Sequence, residues 1–433
     1  MQTQALPGFR DFYPAELAFR SHIFATWREV ARRYAFEEYD GPPLEPLELY
    51  TAKSGDEIVS QLYHFTDKGD RPVALRPEMT PTLARMVAAR ARGLRKPIRW
   101  FAIPQLFRYE RQQRGRLREH FQFNCDLIGE AGPLADAEVI ALAIDTVRAF
   151  GLGPGDVRVR LSDRRVVGAV LRARGVPESG LGAAYQFIDK VERLRRDELG
   201  RVLPDPGAIA PASVADLEAV SRIKGWEALE AELERSDAAR SAAEPLRATC
   251  EALAAMGLGG FVDVDLAIVR GLAYYTGTVF ELFDARGELR AICGGGRYDT
   301  LLAALGGVDL PAVGFGMGDV VLGELLKDRG LAPSAPAAVE VFVAGITPDD
   351  LPLVLETAHQ LREARLRVEF ALGAQAVGKQ LKLADARQAR LAVVIGPDER
   401  ARGEVVIKDL RGQGQRTVRR ERLVEEVRRG LDG

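Results

Sequence analysis

FRYERQQRGRLREHFQFNCD, residues 107–126, is the stretch from which the fold can be argued. It continues an apolar run, WFAIPQLF (100–107), whose aromatic and aliphatic residues predict a buried strand. About ten polar residues follow, and apolar residues alternate with polar ones again over residues 120–128. Because alternate residues of a strand share one face, this pattern predicts an antiparallel pair of strands joined by a basic loop. Gly115 gives that loop a residue that tolerates a positive φ.

Arginines crowd this predicted hairpin: Arg108, Arg111, Arg114, Arg116 and Arg118. The acceptors are Glu110, Gln122 and Asp126, and the even spacing of the last two places them on one face. Charge runs usually face water, so a solvated hairpin is the default interpretation. Here, however, the arginines lie between two apolar strands, and an arginine fork donates two hydrogen bonds to a phosphate at once. The pattern therefore favours a face that binds a polyanion through its arginines and an amine through its carboxylates.

The composition of the 433 residues is that of an ordinary globular protein, with 47% hydrophobic and 28% charged residues, and the length suits two or three domains. A net charge of −2 excludes a global basic field, so any nucleic-acid contact must come from local patches. Three widely spaced cysteines and four histidines form no metal pattern or disulfide framework, which argues against zinc catalysis. With no bilayer-length apolar run and no signal-peptide pattern at the N-terminus, we expect a cytoplasmic protein.

The turn RPEMT (76–80) precedes a predicted helix over residues 81–91. Glu78 and Thr80 lie at the entry of this helix, where two interpretations remain open. They either cap the helix or point a carboxylate into a pocket that receives an ammonium group.

Further along the chain, residues 163–255 are alanine-rich and predict an inserted helical subdomain, and strands are predicted over residues 261–270 and 276–283. Gly314, Gly316 and Gly318 alternate in a later strand, which lets a backbone approach something flat or anionic, but their G-x-G-x-G spacing is not a dinucleotide fingerprint. The predicted organisation is a first domain over 1–331, a proline- and alanine-rich linker over 332–338, and a small α/β domain over 339–433.

Several motifs in order along the chain resemble the histidyl-tRNA synthetase family of class II aminoacyl-tRNA synthetases. Besides the hairpin they are PGFRDFYP (7–14), RPEMTP (76–81), IVRGLAYYTGTVFE (268–281), CGGGRYD (293–299), GKQLKLAD (378–385) and VVIKDL (405–410). The resemblance implies an α+β catalytic domain built on an antiparallel sheet of about six or seven strands, with a helical insertion, followed by a C-terminal α/β anticodon-binding domain. It also implies a homodimer that activates L-histidine with ATP and transfers it to the terminal ribose of tRNA(His), with Mg²⁺ accompanying ATP and no protein-bound metal.

The same resemblance implies roles for individual residues. Arg108 and Arg270 are the expected catalytic residues, because they would neutralise the α-phosphate from two sides. The expected histidine-binding residues are Glu78, Met79, Thr80, Arg108, Gln122, Asp126, Arg270, Tyr274 and Tyr275. The expected ATP-binding residues are Arg108, Glu110 and Arg116. The expected contacts to the tRNA acceptor stem are Arg111, Gln112, Gln113 and Arg114, and those to the anticodon are Lys379, Lys382, Lys408 and Arg411. Since adjacent residues of a strand point to opposite faces, only one of Tyr274 and Tyr275 is expected to line the pocket.

Two positions depart from the family pattern. Ala273 stands where an aspartate is usual, and Val321 stands where the third motif carries an arginine for the γ-phosphate. Such a chain resembles the plant-organelle branch of the family and its bacterial relatives, and we expect Arg116, Arg118 or a metal ion to meet the distal phosphates.

Two functions that are not synthetase activity remain as alternatives. One is a regulatory subunit of the ATP phosphoribosyltransferase of histidine biosynthesis, and the other is a tRNA-binding pseudo-synthetase. The presence of Arg270 and of a domain after the linker disfavours the first, and the complete set of adenylation residues disfavours the second.

Overall fold

The strands predicted around the basic loop lie at the centre of the fold in a computed structural model. It describes residues 4–51, 59–111, 113, 115–191, 203, 205–270, 274–333, 337–412 and 414–432. The chain divides into two units, Met1–Pro333 and Ser334–Gly433. None of the helices in the described ranges is both long and apolar enough to cross a membrane.

The elements of the first unit are numbered in chain order. Its helices are α1 (Pro14–Arg33), α2 (Glu48–Thr51), α3 (Thr80–Arg90), α4 (Pro133–Arg148), α5 (Arg164–Ala173), α6 (Leu181–Val191), α7 (Val214–Ser221), α8 (Gly225–Leu233), α9 (Asp237–Ala255), α10 (Leu301–Gly306) and α11 (Asp319–Asp328). Its strands are β1 (Glu37–Glu38), β2 (Leu44–Pro46), β3 (His64–Thr66), β4 (Pro72–Leu75), β5 (Ile98–Ala102), β6 (Gln105–Phe107), β7 (Glu119–Ile128), β8 (Val157–Asp163), β9 (Val262–Val264), β10 (Thr278–Asp284), β11 (Cys293–Arg297) and β12 (Ala312–Gly318).

The main sheet has the order β1-β5-β7-β12-β11-β10-β8-β9, and β6 also pairs with β7, so that nine strands of the described chain take part. In the central run β5-β7-β12-β11-β10-β8, each strand is antiparallel to its neighbours. The edge strands β1 and β9 are parallel to β5 and β8. A smaller antiparallel sheet has the order β2-β4-β3. The predicted α+β class on an antiparallel sheet is therefore confirmed.

The predicted hairpin is present, but its first strand is divided. The single strand predicted over residues 100–107 is wrong: β5 ends at Ala102, and β6 begins at Gln105. Pro104 lies between them and has no N–H to donate to a ladder, although its carbonyl accepts a bond from the Gln122 N–H at 3.1 Å. The long strand β7 pairs with both pieces, and the loop between β6 and β7 includes Gly115 at φ +74°, as predicted.

The two faces of β7 have different surroundings. Phe123, Cys125 and Leu127 are buried in the main core, where the Phe123 ring stacks on Trp27 of α1 with centroids 5.4 Å apart. α4 packs on the same core with most of its residues buried. Because successive strand residues alternate, Gln122, Asn124 and Asp126 point to the opposite face. The apolar face thus anchors the strand and leaves a polar face available for a site.

The predicted helical insertion is confirmed for the described residues, since α5 to α9 lie between β8 and β9. The strand predicted over residues 261–270 is wrong beyond Val264. The Asp265 carboxylate accepts a bond from the Ala267 N–H at 3.0 Å and pairs with Arg160 at 2.5 Å, so the chain turns there instead of extending the strand.

The second unit is the predicted α/β domain. Its strands are β13 (Val341–Gly345), β14 (Val368–Phe370), β15 (Leu391–Ile395), β16 (Glu404–Asp409) and β17 (Gln415–Arg419), and its helices are α12 (Leu351–Glu363), α13 (Val377–Ala386), α14 (Pro397–Arg402) and α15 (Leu423–Asp432). The sheet order is β14-β13-β15-β16-β17, with the first three strands parallel and the last two antiparallel to their neighbours. Helix α14 was not predicted, because its polar sequence PDERAR has no apolar periodicity.

Candidate active site

A small cavity, called here the polar cavity, opens on the polar face of β7. Its lining consists of Glu78, Thr80, Arg108, Gln122, Asn124, Asp126, Arg270, Tyr274, Tyr275, Gly294, Tyr298, Gly314, Phe315 and Gly316. These residues come from the start of α3, the hairpin, the segment before β10, and strands β11 and β12. The structure therefore brings together eight of the nine residues expected to bind histidine, and the exception is Met79.

Glycines form the floor of this cavity. A Cβ atom at Gly314 would lie 2.1 Å from the Asp126 carboxylate oxygen, and one at Gly316 would lie 2.5 Å from the Gln122 amide carbon. A Cβ at Gly294 would lie 2.5 Å from the Arg270 guanidinium. The alternating glycines were expected to admit a flat or anionic group. That group is the protein's own, because the side chains of Asp126 and Gln122 occupy the space next to Gly314 and Gly316.

The deepest charged group of the cavity is Asp126, only 4% exposed. Burial raises the pKa of its carboxyl to about 7, and a hydrogen bond from the Tyr298 hydroxyl opposes this shift by stabilising the ionised form. The carboxyl consequently changes its charge near neutral pH. It can accept a hydrogen bond from a ring N–H when ionised, which is the chemistry that imidazole recognition needs.

A hydrogen bond between two lining residues links the start of α3 to the segment that precedes β10. The Tyr274 hydroxyl donates to the Glu78 carboxylate at 3.2 Å, and Glu78 is 5% exposed. The N-cap residue of α3 is Met79, whose side chain makes no capping bond. It is buried against Arg76, with Nη1 of the arginine 3.8 Å from Sδ, and is absent from the described residues that line the cavity. The position of Glu78 thus favours the pocket interpretation over the cap.

Tyr274 and Tyr275 both line the cavity, so the expectation that only one would do so is wrong. The expectation assumed a strand, whereas β10 begins only at Thr278. Outside a strand, side chains need not alternate. The two rings lie 5.1 Å apart between centroids, inclined by 51°.

A second cavity, called here the arginine cavity, continues from the first towards the hairpin. Its lining includes Arg108, Glu110, Gly115, Arg116, Leu117, His120, Gln122, Arg270, Cys293, Gly294, Gly318, Val320 and Val321. Arg108, Gln122 and Arg270 line both cavities. Burial and the nearby Arg108, Arg10 and Arg116 lower the pKa of His120 to about 3, so this ring is neutral at physiological pH. A neutral wall and several cations suit a nucleotide, which has an uncharged base and charged phosphates.

Arg270 is the residue at the junction of the two cavities. Its backbone has φ +58°, a left-handed conformation that is uncommon for a residue with a side chain. Its guanidinium pairs with Glu281 of β10, which is buried. Burial opposes the charge, but this ion pair outweighs it and raises the pKa of Arg270 above its ordinary value, so the cation is permanent. A fixed cation at the junction of the two cavities can neutralise negative charge at the point where they meet.

Comparison with known proteins identifies the family. The family model for histidyl-tRNA synthetase matches residues 8–318, and a histidine–tRNA ligase of Opitutus terrae is 47% identical over 427 residues, 98% of this chain and 98% of that protein. This chain belongs to the histidyl-tRNA synthetase family. The chloroplastic/mitochondrial histidine–tRNA ligase of Arabidopsis thaliana is 40% identical over 93% of this chain and 82% of that protein. The crystal structure of histidyl-tRNA synthetase from Nostoc sp. PCC 7120 covers 99% of both chains with a TM-score of 0.81 at 26% identity.

The position of the family's third-motif arginine is occupied by Val321, which is 8% exposed and lines the arginine cavity. A Cβ at Gly115 would lie 3.3 Å from its Cγ2, so the valine packs beneath the hairpin loop. Of the two arginines expected to substitute for the missing one, Arg116 lines the cavity and pairs with Glu110. Arg118 instead stacks on Tyr109, with its guanidinium carbon 4.1 Å from the ring centroid, and it is not among the described lining residues.

The residues expected to contact tRNA are only partly described. Gln112 and Arg114 lie outside the described residues, as does Ala273 of the 268–281 motif. Arg111 and Gln113 are exposed at the hairpin tip, where the Gln113 side-chain oxygen accepts a bond from Arg290. A family model described as an anticodon binding domain matches residues 340–430. The candidate anticodon residues within it are exposed, except for the half-buried Lys408: Lys379, Lys382, Lys408 and Arg411.

Four residues of the site were not predicted from the sequence. Asn124 shares the even spacing of Gln122 and Asp126, so the signal that placed those two could have placed it as well. His120 has the same even spacing on β7, so that signal could have placed it too. Tyr298 and Glu281 had no comparable signal, because each reaches the site through pairing between strands that are distant in sequence. No group of three or more His, Cys, Asp or Glu residues that could hold a metal ion occurs within the described ranges.

Proposed function

We propose that this protein is a histidine–tRNA ligase. In the first step a carboxylate oxygen of L-histidine attacks the α-phosphorus of ATP, the bond to the bridging oxygen breaks, and pyrophosphate leaves. In the second step a hydroxyl of the terminal ribose of tRNA(His) attacks the carbonyl carbon of histidyl-adenylate, and AMP leaves.

One observation carries this proposal: the polar cavity and the arginine cavity meet at Arg108 and Arg270. Arg108 is held from one side by a bond from its Nε to the Pro77 carbonyl at 2.9 Å, and Arg270 is held from the other by Glu281. Two positioned cations suit the transition state, in which negative charge gathers on the α-phosphate oxygens. Neither group needs an unusual pKa, because the reaction depends on position and charge neutralisation.

Histidine recognition is assigned to the polar cavity. Glu78 would accept hydrogen bonds from the α-ammonium group, with Thr80 and Gln122 beside it, and Asp126 would accept the ring N–H. Tyr274 and Tyr275 would close over the imidazole. An analogue without the ring nitrogens would leave the buried Asp126 unpaired, which is the kind of penalty that gives strong discrimination.

The nucleotide is assigned to the arginine cavity, with Arg108 and Arg116 on the phosphates and Glu110 holding Arg116. Because valine cannot bind a phosphate, the distal phosphates must find positive charge elsewhere. Arg116 is the best-placed arginine of the two considered, and Mg²⁺ would arrive with ATP as part of the substrate.

The tRNA is assigned to two regions, the hairpin tip with Arg111, Gln112, Gln113 and Arg114 for the acceptor stem, and the second unit for the anticodon. We also propose that the protein is a homodimer and acts in the cytoplasm. Light scattering coupled to size-exclusion chromatography tests the dimer, which would be refuted by a mass near the 47.4 kDa of one chain.

The decisive experiment is exchange of labelled pyrophosphate into ATP, dependent on histidine and without tRNA. We expect exchange in the native protein and a loss of about 10²–10³-fold in Arg270→Ala, because one transition-state charge contact is removed. Arg286→Ala is the matched control, since Arg286 is an exposed arginine after β10 that lines neither cavity. Histidine binding without exchange in the native protein would refute the ligase proposal and favour the regulatory or tRNA-binding alternatives.

A further inference from the structure

One arginine outside both cavities holds the segment that carries the proposed catalytic arginine. Arg164 is the first residue of α5, directly after β8. Its guanidinium donates to three backbone carbonyls: Nε to Val269 at 2.9 Å, Nη2 to Arg270 at 2.7 Å and Nη1 to Tyr275 at 2.9 Å. These carbonyls lie on both sides of residues 271–273, so one side chain bonds the two flanks of the segment.

The bond to the Arg270 carbonyl acts on a residue with an unusual backbone conformation. Arg270 has a left-handed backbone, which a side-chain-bearing residue adopts only when its surroundings enforce it. A hydrogen bond to its carbonyl anchors the backbone of Arg270 itself, and thereby restricts the directions in which the side chain leaves Cα towards Glu281 and the two cavities. Arg164 therefore holds the backbone carbonyl of Arg270, and no other side chain bonds this carbonyl among the described hydrogen bonds.

Arg164 is itself held by the helical insertion. The Tyr185 ring on α6 lies 5.1 Å from its guanidinium carbon, and the Tyr185 hydroxyl donates to the Arg164 carbonyl at 3.1 Å. The neighbouring Arg165 has a different role, since it pairs with the buried Asp163 at 2.5 Å. Among the described hydrogen bonds, the Arg164 side chain bonds the backbone of the catalytic segment and the Arg165 side chain bonds Asp163.

We propose that Arg164 is a positioning residue for the adenylation reaction. It sets the backbone of Arg270, and through Tyr185 it connects this backbone to the insertion. A planar guanidinium with donors in a fixed fork can serve three carbonyls at once, whereas a lysine ammonium cannot reproduce that geometry. This proposal rests on the proposed function, because it requires that Arg270 act in histidine activation.

The test uses the full chain and histidine-dependent pyrophosphate exchange. Arg164→Lys keeps the charge but loses the fork, and we expect kcat to fall by about 10²-fold, the loss typical of a misplacement of about 1 Å. Arg172→Lys is the matched control: Arg172 is on the same helix and pairs with Glu178 at 2.7 Å, and its described hydrogen bonds go to Glu178 and not to the catalytic segment. Its exchange rate should equal that of the native protein. Native-like exchange in Arg164→Lys would overturn the proposal.

A double variant separates positioning from general damage to the fold. If Arg164 acts through Arg270, then Arg164→Lys combined with Arg270→Ala should be no slower than Arg270→Ala alone, because the first change has nothing left to misplace. If the two losses multiply instead, Arg164 acts independently and the proposal is wrong. If Arg164→Lys does not fold, Arg164→Gln replaces it, both alone and in combination with Arg270→Ala. A native protein without exchange would be a failure of the proposed function, whereas native exchange with multiplicative losses would be a failure of this inference alone.

Discussion

Replacing Tyr298 with phenylalanine tests the proposed role of Asp126 in histidine binding. The Tyr298 hydroxyl donates to Asp126 Oδ1, and burial raises the pKa of this carboxyl to about 7. In the native protein the carboxyl is therefore about half ionised at pH 7. Only the ionised form accepts a hydrogen bond from the substrate ring through either oxygen, so histidine should bind more tightly as the pH rises through 7.

The magnitude follows from the hydrogen bond that is lost. A hydrogen bond to a charged group contributes about 1.5–3 kcal/mol, and a change of one in pKa corresponds to about 1.36 kcal/mol. Because Tyr298→Phe removes such a bond, it should raise the pKa of Asp126 by roughly 1 to 2. At pH 7 the ionised fraction would fall to between about 1% and 10%, and the Kd for histidine would rise about five- to fifty-fold. At pH 6 the weakening should reach about ten- to a hundred-fold, and by pH 9 it should shrink to about twofold or less.

Isothermal titration calorimetry of histidine without ATP, from pH 6 to pH 9, measures this ratio. Dividing the Kd of the variant by that of the native protein at each pH cancels the ionisation of free histidine. Tyr39→Phe is the matched control, because the Tyr39 hydroxyl is buried, makes no hydrogen bond to the described residues and lies in the field of the same carboxyl. A ratio for Tyr298→Phe that does not change with pH would refute the reasoning, since the hydroxyl would then act by packing and not through ionisation of Asp126.

Three further substitutions test other parts of the site. Gly316→Ala should weaken histidine binding by about tenfold or more, since its Cβ would lie 2.5 Å from a glutamine side chain, whereas Gly318→Ala on the same strand meets nothing within 4 Å and should bind histidine normally in calorimetry. Arg116→Ala should lower kcat/KM for ATP by about 10²-fold in pyrophosphate exchange, and Arg118→Ala should have a much smaller effect; equal losses would contradict the assignment of Arg116. Arg297→Met should lower the free energy of unfolding in urea by about 3–5 kcal/mol, because it leaves the buried aspartate that pairs with Arg297 at 2.7 Å without its cation; an unchanged midpoint would show that this ion pair is dispensable.

Local patterns in the sequence predicted most of the fold. Alternation identified β7, and the helix predicted over residues 81–91 is α3, in which Leu83, Ala84 and Val87 are buried. The errors lie where a single polar group or a missing donor overrides the pattern. Pro104 divides one predicted strand, and Asp265 ends another by bonding its own backbone neighbourhood.

From spacing alone, without the family resemblance, residues of the candidate site could be placed only where they belong to one local pattern. Gln122 and Asp126 could be placed on one face from their spacing, and Arg108 from its place in the hairpin. Tyr298 could not be placed, because its contact with Asp126 depends on strands β7, β12 and β11 being neighbours in the sheet. The left-handed backbone of Arg270 has no signature in a sequence where glycine follows it instead of occupying the position.

The glycine floor limits how the pocket can be redesigned. A pocket for a larger amino acid is usually made by shortening a wall residue, but Gly294, Gly314 and Gly316 have no side chain to shorten. Any added atom at these positions collides with the groups that would hold the substrate, so substitutions in the floor can only make the pocket shallower. Changing the accepted amino acid would therefore require replacing the polar side chains that lie across the floor, which would remove the recognition of histidine before creating any other.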